Sequence, residues 1–291
     1  ALTMTVVAEF AAPVRRLWDA YADPRQLEKF WGPPTWPATF TRHDMAVGGE
    51  SHYTMTGPDG DSSSGYWRFL AVTEGESFAV QDGFAKAPGV PNEEMPSMHM
   101  VFTFEPVGTG SKVTTVTTFN SLDQLTQLLE MGMEEGLSAA MGQMDAVLAD
   151  LKSFASDLRT QSQYLGDTQV RFSRIVRGTV EQVWRAHHES DLIRAWMLGP
   201  DGWTMPVCEP TSTVGGTYRF EWEAEDGSGR FGFTGELLEV MEPTRETSTE
   251  RMINTDGPSN SNELTLTSVA DGTLVSMLIT YPSKEVRDEI L

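Results

Sequence analysis

The segment Ser121–Phe154 reads SLDQLTQLLEMGMEEGLSAAMGQMDAVLADLKSF. Its apolar residues are Leu122, Leu125, Leu129, Met133, Leu137, Met141, Met144, Leu148, Leu151 and Phe154. Steps of three or four lay them as one stripe along an α-helix of 3.6 residues per turn. Asn120 or Ser121 is placed to cap the start, and Asp123 and Gln124 sit in the first turn, near the positive end of the helix dipole. Gly132 and Gly136 weaken the middle, so the stripe predicts one long helix, or a short helix followed by a longer one. A stripe of this length needs a large apolar surface to cover it, and the preceding strands are the candidate.

Those strands can be read outward from the helix. Met4–Phe10 alternates, with Met4, Val6, Ala8 and Phe10 on one face. Pro13 opens a helix whose apolar side is Val14, Leu17, Trp18 and Tyr21. Asp23-Pro24 opens a second short helix through Leu27 to Trp31, ended by Gly32-Pro33-Pro34. Strands are then predicted at Ala38–His43, Glu50–Thr56, Gly65–Thr73, Ser77–Gln81, Met98–Glu105 and Lys112–Phe119, divided by turn signals such as Gly48-Gly49 and Gly108-Thr109-Gly110. Ala85–Pro96, rich in proline, reads as an irregular loop.

The order then recurs. Val170–Val176 matches Met4–Phe10, Val180, Val183 and Trp184 match Val14, Leu17 and Trp18, and Trp196-Met197 stands where Phe30-Trp31 stands. Gly199-Pro200 matches Gly32-Pro33, Val214-Gly215-Gly216 matches Val47-Gly48-Gly49, and Asp271-Gly272 matches the turn at Gly108. A shared order over ~120 residues predicts a duplicated domain. The boundaries are 1–158 for the first domain, 159–167 for a polar linker, and 168–291 for the second. Tyr281-Pro282-Ser283 matches Phe119-Asn120-Ser121, so the second copy stops where most of its long helix would follow. A sheet without that helix would expose an apolar face, and the expectation is a natural chain longer by roughly one helix.

Composition narrows the function. The formal net charge is −21, which opposes binding to nucleic acid and to anionic membrane surfaces. Cys208 is the single cysteine, which excludes an intrachain disulfide and a cysteine-based zinc site and fits a reducing compartment. No apolar run approaches the ~20 residues of a membrane helix. A cytoplasmic location is expected.

The pattern strand, Ala12-Pro13-Val14-Arg15-Arg16-Leu17-Trp18, Asp23-Pro24, Phe30-Trp31-Gly32-Pro33, Gly48-Gly49 resembles the START-like (SRPBCC) superfamily. Within it, the chain is most similar to the activator of heat-shock-protein ATPase homologue-like family. The pattern returns in Val180–Trp184, Asp191-Leu192, Trp196, Gly199-Pro200 and Gly215-Gly216, so the resemblance covers nearly the whole chain, twice. It implies an α+β helix-grip fold, in which a curved antiparallel sheet wraps a long C-terminal helix around a cavity. It implies several roles: binding hydrophobic ligands, cyclising polyketides, or assisting a chaperone. The chain departs from the family pattern at Ala8, where the second copy has the usual basic residue, Arg174, and at Met197, where a second aromatic is more usual.

Strand parity sorts the candidate site residues. Ser51, Tyr53 and Met55 share an inward face, as do Met98, Met100, Phe102 and Phe104, with His52 and His99 facing outward. Met133 and Met141 on the long helix face them. This Met and aromatic surface either lines an adaptable cavity or fills the core. In the second copy Tyr218, Phe220 and Trp222 share the inward face. Arg174 has inward parity with Val170, Phe172 and Val176, where it would need a buried carboxylate or an anionic ligand group. Trp31 and Trp196 precede Gly-Pro at the expected cavity mouth, to stack on a ligand or to plug helix against sheet.

No metal-ligand spacing is present: His187 and His188 are helical neighbours that point ~100° apart, and no His-Glu-x-x-His occurs. Gly108–Lys112 lacks the spacing of a phosphate loop, and no nucleophile elbow or Cys-His arrangement is visible. No cofactor is called for. The leading expectation is binding of a small hydrophobic or amphipathic ligand without chemistry. The alternatives are a cyclase or dehydratase, in which Tyr53, Tyr218 or Arg174 would move a proton, and a module that binds a protein partner.

Overall fold

The computed structural model describes residues 2–130, 133–149, 160–255 and 257–291. They form two compact units, 1–157 and 158–291. The first unit runs β1 (Leu2–Phe10), α1 (Val14–Ala22), α2 (Pro24–Leu27), β2 (Ala38–His43), β3 (Glu50–Thr56), β4 (Ser62–Thr73), β5 (Ser77–Ala87), β6 (Val90–Pro91), β7 (Met98–Val107), β8 (Gly110–Phe119), α3 (Leu122–Glu130) and α4 (Met133–Ala149). The sheet order is β1-β8-β7-β5-β4-β3-β2, with β6 paired to β5, and every pairing is antiparallel.

The described part of the apolar stripe is helical on both sides of residues 131–132, as α3 and α4. Ser121 caps α3 by accepting a hydrogen bond from Gln124 N at 3.1 Å, and the Gln124 side chain accepts from Asn120 N at 2.7 Å. The stripe residues Leu151 and Phe154 lie outside the described residues, as does the side chain of Leu137. On α4, Met141, Met144, Val147 and Leu148 enter the main core, beside Leu17, Trp18 and Tyr21 of α1 and Trp67, Phe69, Phe78, Phe102 and Phe104 of the sheet. Phe78 stacks on Phe102 at 4.4 Å, and Trp18 sets its edge to Phe104 at 5.3 Å. Each such ring pair adds about 1 kcal/mol beyond the area it buries. A smaller cluster at the α3 end joins Met98, Phe119 and Leu128, with Met4, Phe84, Leu125 and Met133 packed against it.

Two local expectations need correction. The stretch expected to be an irregular loop begins as strand, because β5 continues to Ala87 and turns back through β6, which pairs Ala85 with Pro91. The second short helix ends at Leu27; the chain then closes a turn, with Trp31 N donating to Leu27 O at 2.8 Å.

The second unit runs β9 (Gln161–Leu165), β10 (Gln169–Val176), α5 (Val180–His188), α6 (Ser190–Trp196), β11 (Trp203–Glu209), β12 (Thr217–Ala224), β13 (Arg230–Met241), β14 (Arg245–Met252), β15 (Asn260–Val269), β16 (Gly272–Thr280) and α7 (Lys284–Ile290). Its order, β11-β12-β13-β14-β15-β16-β10-β9, repeats that of the first unit with β9 added at one edge. The expected linker is thus a strand in its greater part. Gln161–Leu165 pairs with β10, and the Gln163 side chain accepts from the buried Arg171 guanidinium at 2.6 Å. Thr179 and Gln182 form a capping box at the start of α5. Gly48 and Gly215 occupy the matching turns before β3 and β12, at φ 82° and 81°, where a side chain would be strained.

Candidate functional site

The first unit has two apolar clusters among its described residues, one around α1 and the C-terminal part of α4 and one around α3. Between them lies a cavity of about 620 Å³. Its floor is sheet: Tyr53 and Met55 from β3, Gly65 from β4, Asp82 and Phe84 from β5, and Met98 and Met100 from β7. Its roof is helix: Leu128 from α3 and Met133, Gly136 and Ala140 from α4. Trp31, Gly32, Pro33 and Trp36 close one side. The space exists because α4 carries Gly136 and Ala140 toward the sheet. A Cβ built at Gly136 would meet nothing within 4 Å.

One polar pair stands in this apolar wall. The Tyr53 hydroxyl donates to Asp82 Oδ1 at 3.2 Å, and both residues are buried. Gly65 makes that reach possible, because a Cβ there would meet the Tyr53 hydroxyl at 2.4 Å. Burial pushes the Asp82 carboxyl up to about 6, against the opposing pull of the Tyr53 hydroxyl and the Trp67 indole. Burial, and then the charge of Asp82, pushes the Tyr53 phenol far above its ordinary value. The indole N–H groups of Trp67 and Trp31 favour the charged forms of Asp82 and Tyr53, though neither reaches hydrogen-bond geometry. No Lys, Arg or His is among the described residues that line the cavity.

Of the residues singled out in the first copy, Trp31, Tyr53, Met55, Met98, Met100 and Met133 line this cavity. Phe102 and Met141 do not: Phe102 is stacked on Phe78, and Met141 packs beside Met144 in the main core. Asp82 is not among the residues the sequence singles out, because the expected strand stops at Gln81 while β5 runs on to Ala87. The alternation Phe78, Val80, Asp82 was the signal that places it on the inward face.

Among the described residues, the second unit has a groove of about 120 Å³. Tyr218 and Phe220 line it together with His187, His188, Glu246, Glu250 and Asn262. Trp222 does not; it stacks on Phe231 at 5.2 Å and donates its indole N–H to Met197 O at 3.1 Å, as a plug. Trp196 is half exposed and donates to Ala186 O at 2.7 Å. Arg174 also needs correction. The register sets it opposite Val275, on the face that carries Val275 and Met277 toward α5, yet it is exposed. A hydrated guanidinium there requires no buried counter-charge.

The histidines hold polar partners. His43 is buried, with Nδ1 2.8 Å from Ser51 Oγ, and His52 is half-buried, 3.1 Å from Glu50. His188 sets Nδ1 2.8 Å from Trp184 O and Nε2 2.8 Å from Glu246 Oε2. Both neighbours offer acceptor oxygens, an arrangement that favours the doubly protonated ring. Burial opposes that charge, but the Glu246 carboxylate and the Trp184 carbonyl outweigh it and raise the His188 pKa. Among the described residues no group of three or more His, Cys, Asp or Glu could hold a metal ion, and no helix is long and apolar enough to cross a membrane.

The two units share one polar device. Asp82 stands opposite Met98 at the last pair of the β5–β7 ladder, and Glu250 stands opposite Asn260 at the last pair of the β14–β15 ladder. Each acid meets a tyrosine hydroxyl that crosses above a glycine. The Tyr218 hydroxyl is 3.4 Å from Glu250 and donates to Thr249 O at 2.8 Å, and a Cβ at Gly235 would meet it at 2.7 Å. Burial raises the Glu250 carboxyl as it raises Asp82, with Asn262 and Tyr218 opposing. The surroundings differ, because Glu250 sits in a narrow groove and Asp82 in a wide apolar cavity.

Comparison with known proteins gives one family. The sequence model described as "Activator of Hsp90 ATPase homolog 1-like protein" matches residues 11–149 and 177–289. Protein Ms6760 from Mycobacterium smegmatis, a crystal structure, is 51% identical over 50% of this chain and 90% of its own, with a TM-score of 0.48. A protein from Arthrobacter aurescens, solved by NMR, is 45% identical over 52% of this chain and 88% of its own, with a TM-score of 0.50. A comparison with curated proteins finds none that matches.

Proposed function

This chain belongs to the Activator of Hsp90 ATPase homolog 1-like family, as two tandem copies, and from that premise we propose that its first unit binds one small hydrophobic or amphipathic molecule without converting it. The observation that carries this reading is the cavity of about 620 Å³ between sheet and helix. Ligand pockets for drug-sized molecules run from about 300 to 1,000 Å³ and are walled mainly by apolar and aromatic side chains with a few fixed polar groups. Here the walls are methionine and aromatic, and Tyr53 and Asp82 are the fixed polar pair. Methionine adapts to irregular partners, which suits a site that accepts a range of apolar shapes. The groove of the second unit, at about 120 Å³, suits a single small group and not a ligand body.

Native mass spectrometry of gently purified protein, set against its denatured mass, tests the reading. The expected result is an added mass that leaves on denaturation, or a one-to-one complex on addition of 4-phenyl-1-butanol. Equal native and denatured masses, together with no calorimetric response to that alcohol, would sink the proposal.

A further inference from the structure

The cavity wall is uneven in its chemistry. It holds one readily ionised group, the Asp82 carboxyl, and no cation among the described residues. Among the described residues, the side chains facing that carboxyl are uncharged: Tyr53 on β3, Trp67 on β4, Met98 on β7, and Met133, Gly136 and Ala140 on α4. Tyr53 engages Oδ1 only. A buried carboxylate without a counter-charge is costly, and a bound cation removes that cost. Trp31, Trp36 and Tyr53 line the same wall, and the π face of an aromatic ring attracts an ammonium and not a carboxylate. The chain's net charge of −21 acts in the same direction, concentrating cations near the surface and repelling anions.

We propose that the ligand of this cavity is a hydrophobic amine, with its apolar body between the methionines and its ammonium paired with Asp82. The inference rests on the binding reading given above and names the ligand class for the same site. The ammonium supplies the positive charge that the wall lacks. An alcohol of the same shape supplies a hydrogen bond and no charge. A fatty or aromatic carboxylate brings a second anion beside the first and is disfavoured.

Proton linkage follows from the pairing. The empty cavity holds Asp82 at a pKa of about 6, and an alkylammonium keeps its charge far above that pH. Binding below pH 6 must therefore expel a proton from Asp82, and amine affinity falls by up to tenfold for each further pH unit. Binding of the alcohol has no such dependence.

The test is calorimetric titration of the full chain at pH 7.5 with three probes of one shape: 4-phenylbutylamine, 4-phenyl-1-butanol and 4-phenylbutyrate. The expected order is amine tightest, by at least tenfold over the alcohol, with the carboxylate weakest. Asp82→Asn should abolish the amine's advantage while the alcohol still binds, with circular dichroism confirming the fold. If that variant does not fold, the wild-type ranking and its pH profile decide alone. An alcohol or carboxylate that binds as tightly as the amine, or an amine preference that survives Asp82→Asn, overturns the amine assignment and leaves the cavity reading intact. No heat from any probe overturns the amine assignment, and together with equal native and denatured masses it overturns the cavity reading too.

Discussion

Asp82 illustrates what burial does to a single side chain. Its carboxyl ionises near 4 in the unfolded chain and at about 6 in the folded one, so the fold prefers the neutral form. The preference is fully present below the unfolded pKa and is lost as pH rises through about 6. A shift of about two units corresponds to roughly 3 kcal/mol of stability forgone at neutral pH, as an upper bound. Asp82→Asn removes that loss while keeping a polar partner for Tyr53. Urea denaturation should show the variant more stable than the wild type by about 1–3 kcal/mol at pH 7.5, with the difference shrinking to nothing near pH 4. His188 behaves in the same sense for a different reason. Its raised pKa means that the pairing with Glu246 contributes fully below the imidazole's ordinary pKa of 6.5, and the contribution is lost as pH rises through the folded value. His188→Gln should cost on the order of 1 kcal/mol at pH 6 and little at pH 9, measured by the same denaturation.

At the scale of the element, α4 does two jobs with two ends. Its C-terminal part fills the core with Met144, Val147 and Leu148, and its N-terminal part leaves space with Gly136 and Ala140. Glycine in a helix interior costs about 1 kcal/mol relative to alanine. Gly136→Leu should therefore recover about 1 kcal/mol, because the new side chain enters open space. The same side chain occupies the cavity, so affinity for 4-phenyl-1-butanol should fall by at least tenfold. A variant that gains stability and keeps its affinity would mean that the ligand sits elsewhere. On the sheet, Gly65 does the complementary job by letting the Tyr53 ring cross β4 to reach Asp82 on β5. Gly65→Ala should disturb that pair, lower the Tyr53–Asp82 coupling and weaken amine binding more than alcohol binding.

Across the whole molecule, one fold is used twice with different interiors. Both units place an acid at the same ladder position beside a tyrosine hydroxyl, and among the described residues the first surrounds it with a cavity of about 620 Å³ and the second with a groove of about 120 Å³. Hydrogen exchange should report this difference. Addition of 4-phenylbutylamine should slow exchange in segments 31–36, 53–55, 82–84, 98–100 and 128–140, and leave 160–291 unchanged. Protection of the second unit at equal strength would show that its groove also takes ligand.

The duplication, the helical stripe and most of the order of the elements were legible in the chain, because each rests on local periodicity; β6 and β9 were not, lying where a loop and a linker were expected. Alternation marks strands, steps of three and four mark helices, and Gly-Gly or Asp-Gly marks the turns between them. That periodicity also assigns a face, so Tyr53, Met55, Met98 and Met100 could be named as inward-facing without coordinates. It does not say whether an inward face meets another side chain or a void. Phe102 and Met141 share that inward parity with Met100 and Met133, yet the first two are packed shut and the others border a cavity. The outcome depends on which residues of β3, β4, β5, β7 and α4 come level with one another, a matter of long-range register. Parity likewise could not tell that Arg174 and Val176, at the end of β10, are exposed while Ser173 and Ile175 beside them are buried. Nor could it show Asp82 brought beneath Tyr53 across an intervening strand, because that contact spans residues 29 apart and exists only once β3, β4 and β5 are laid side by side.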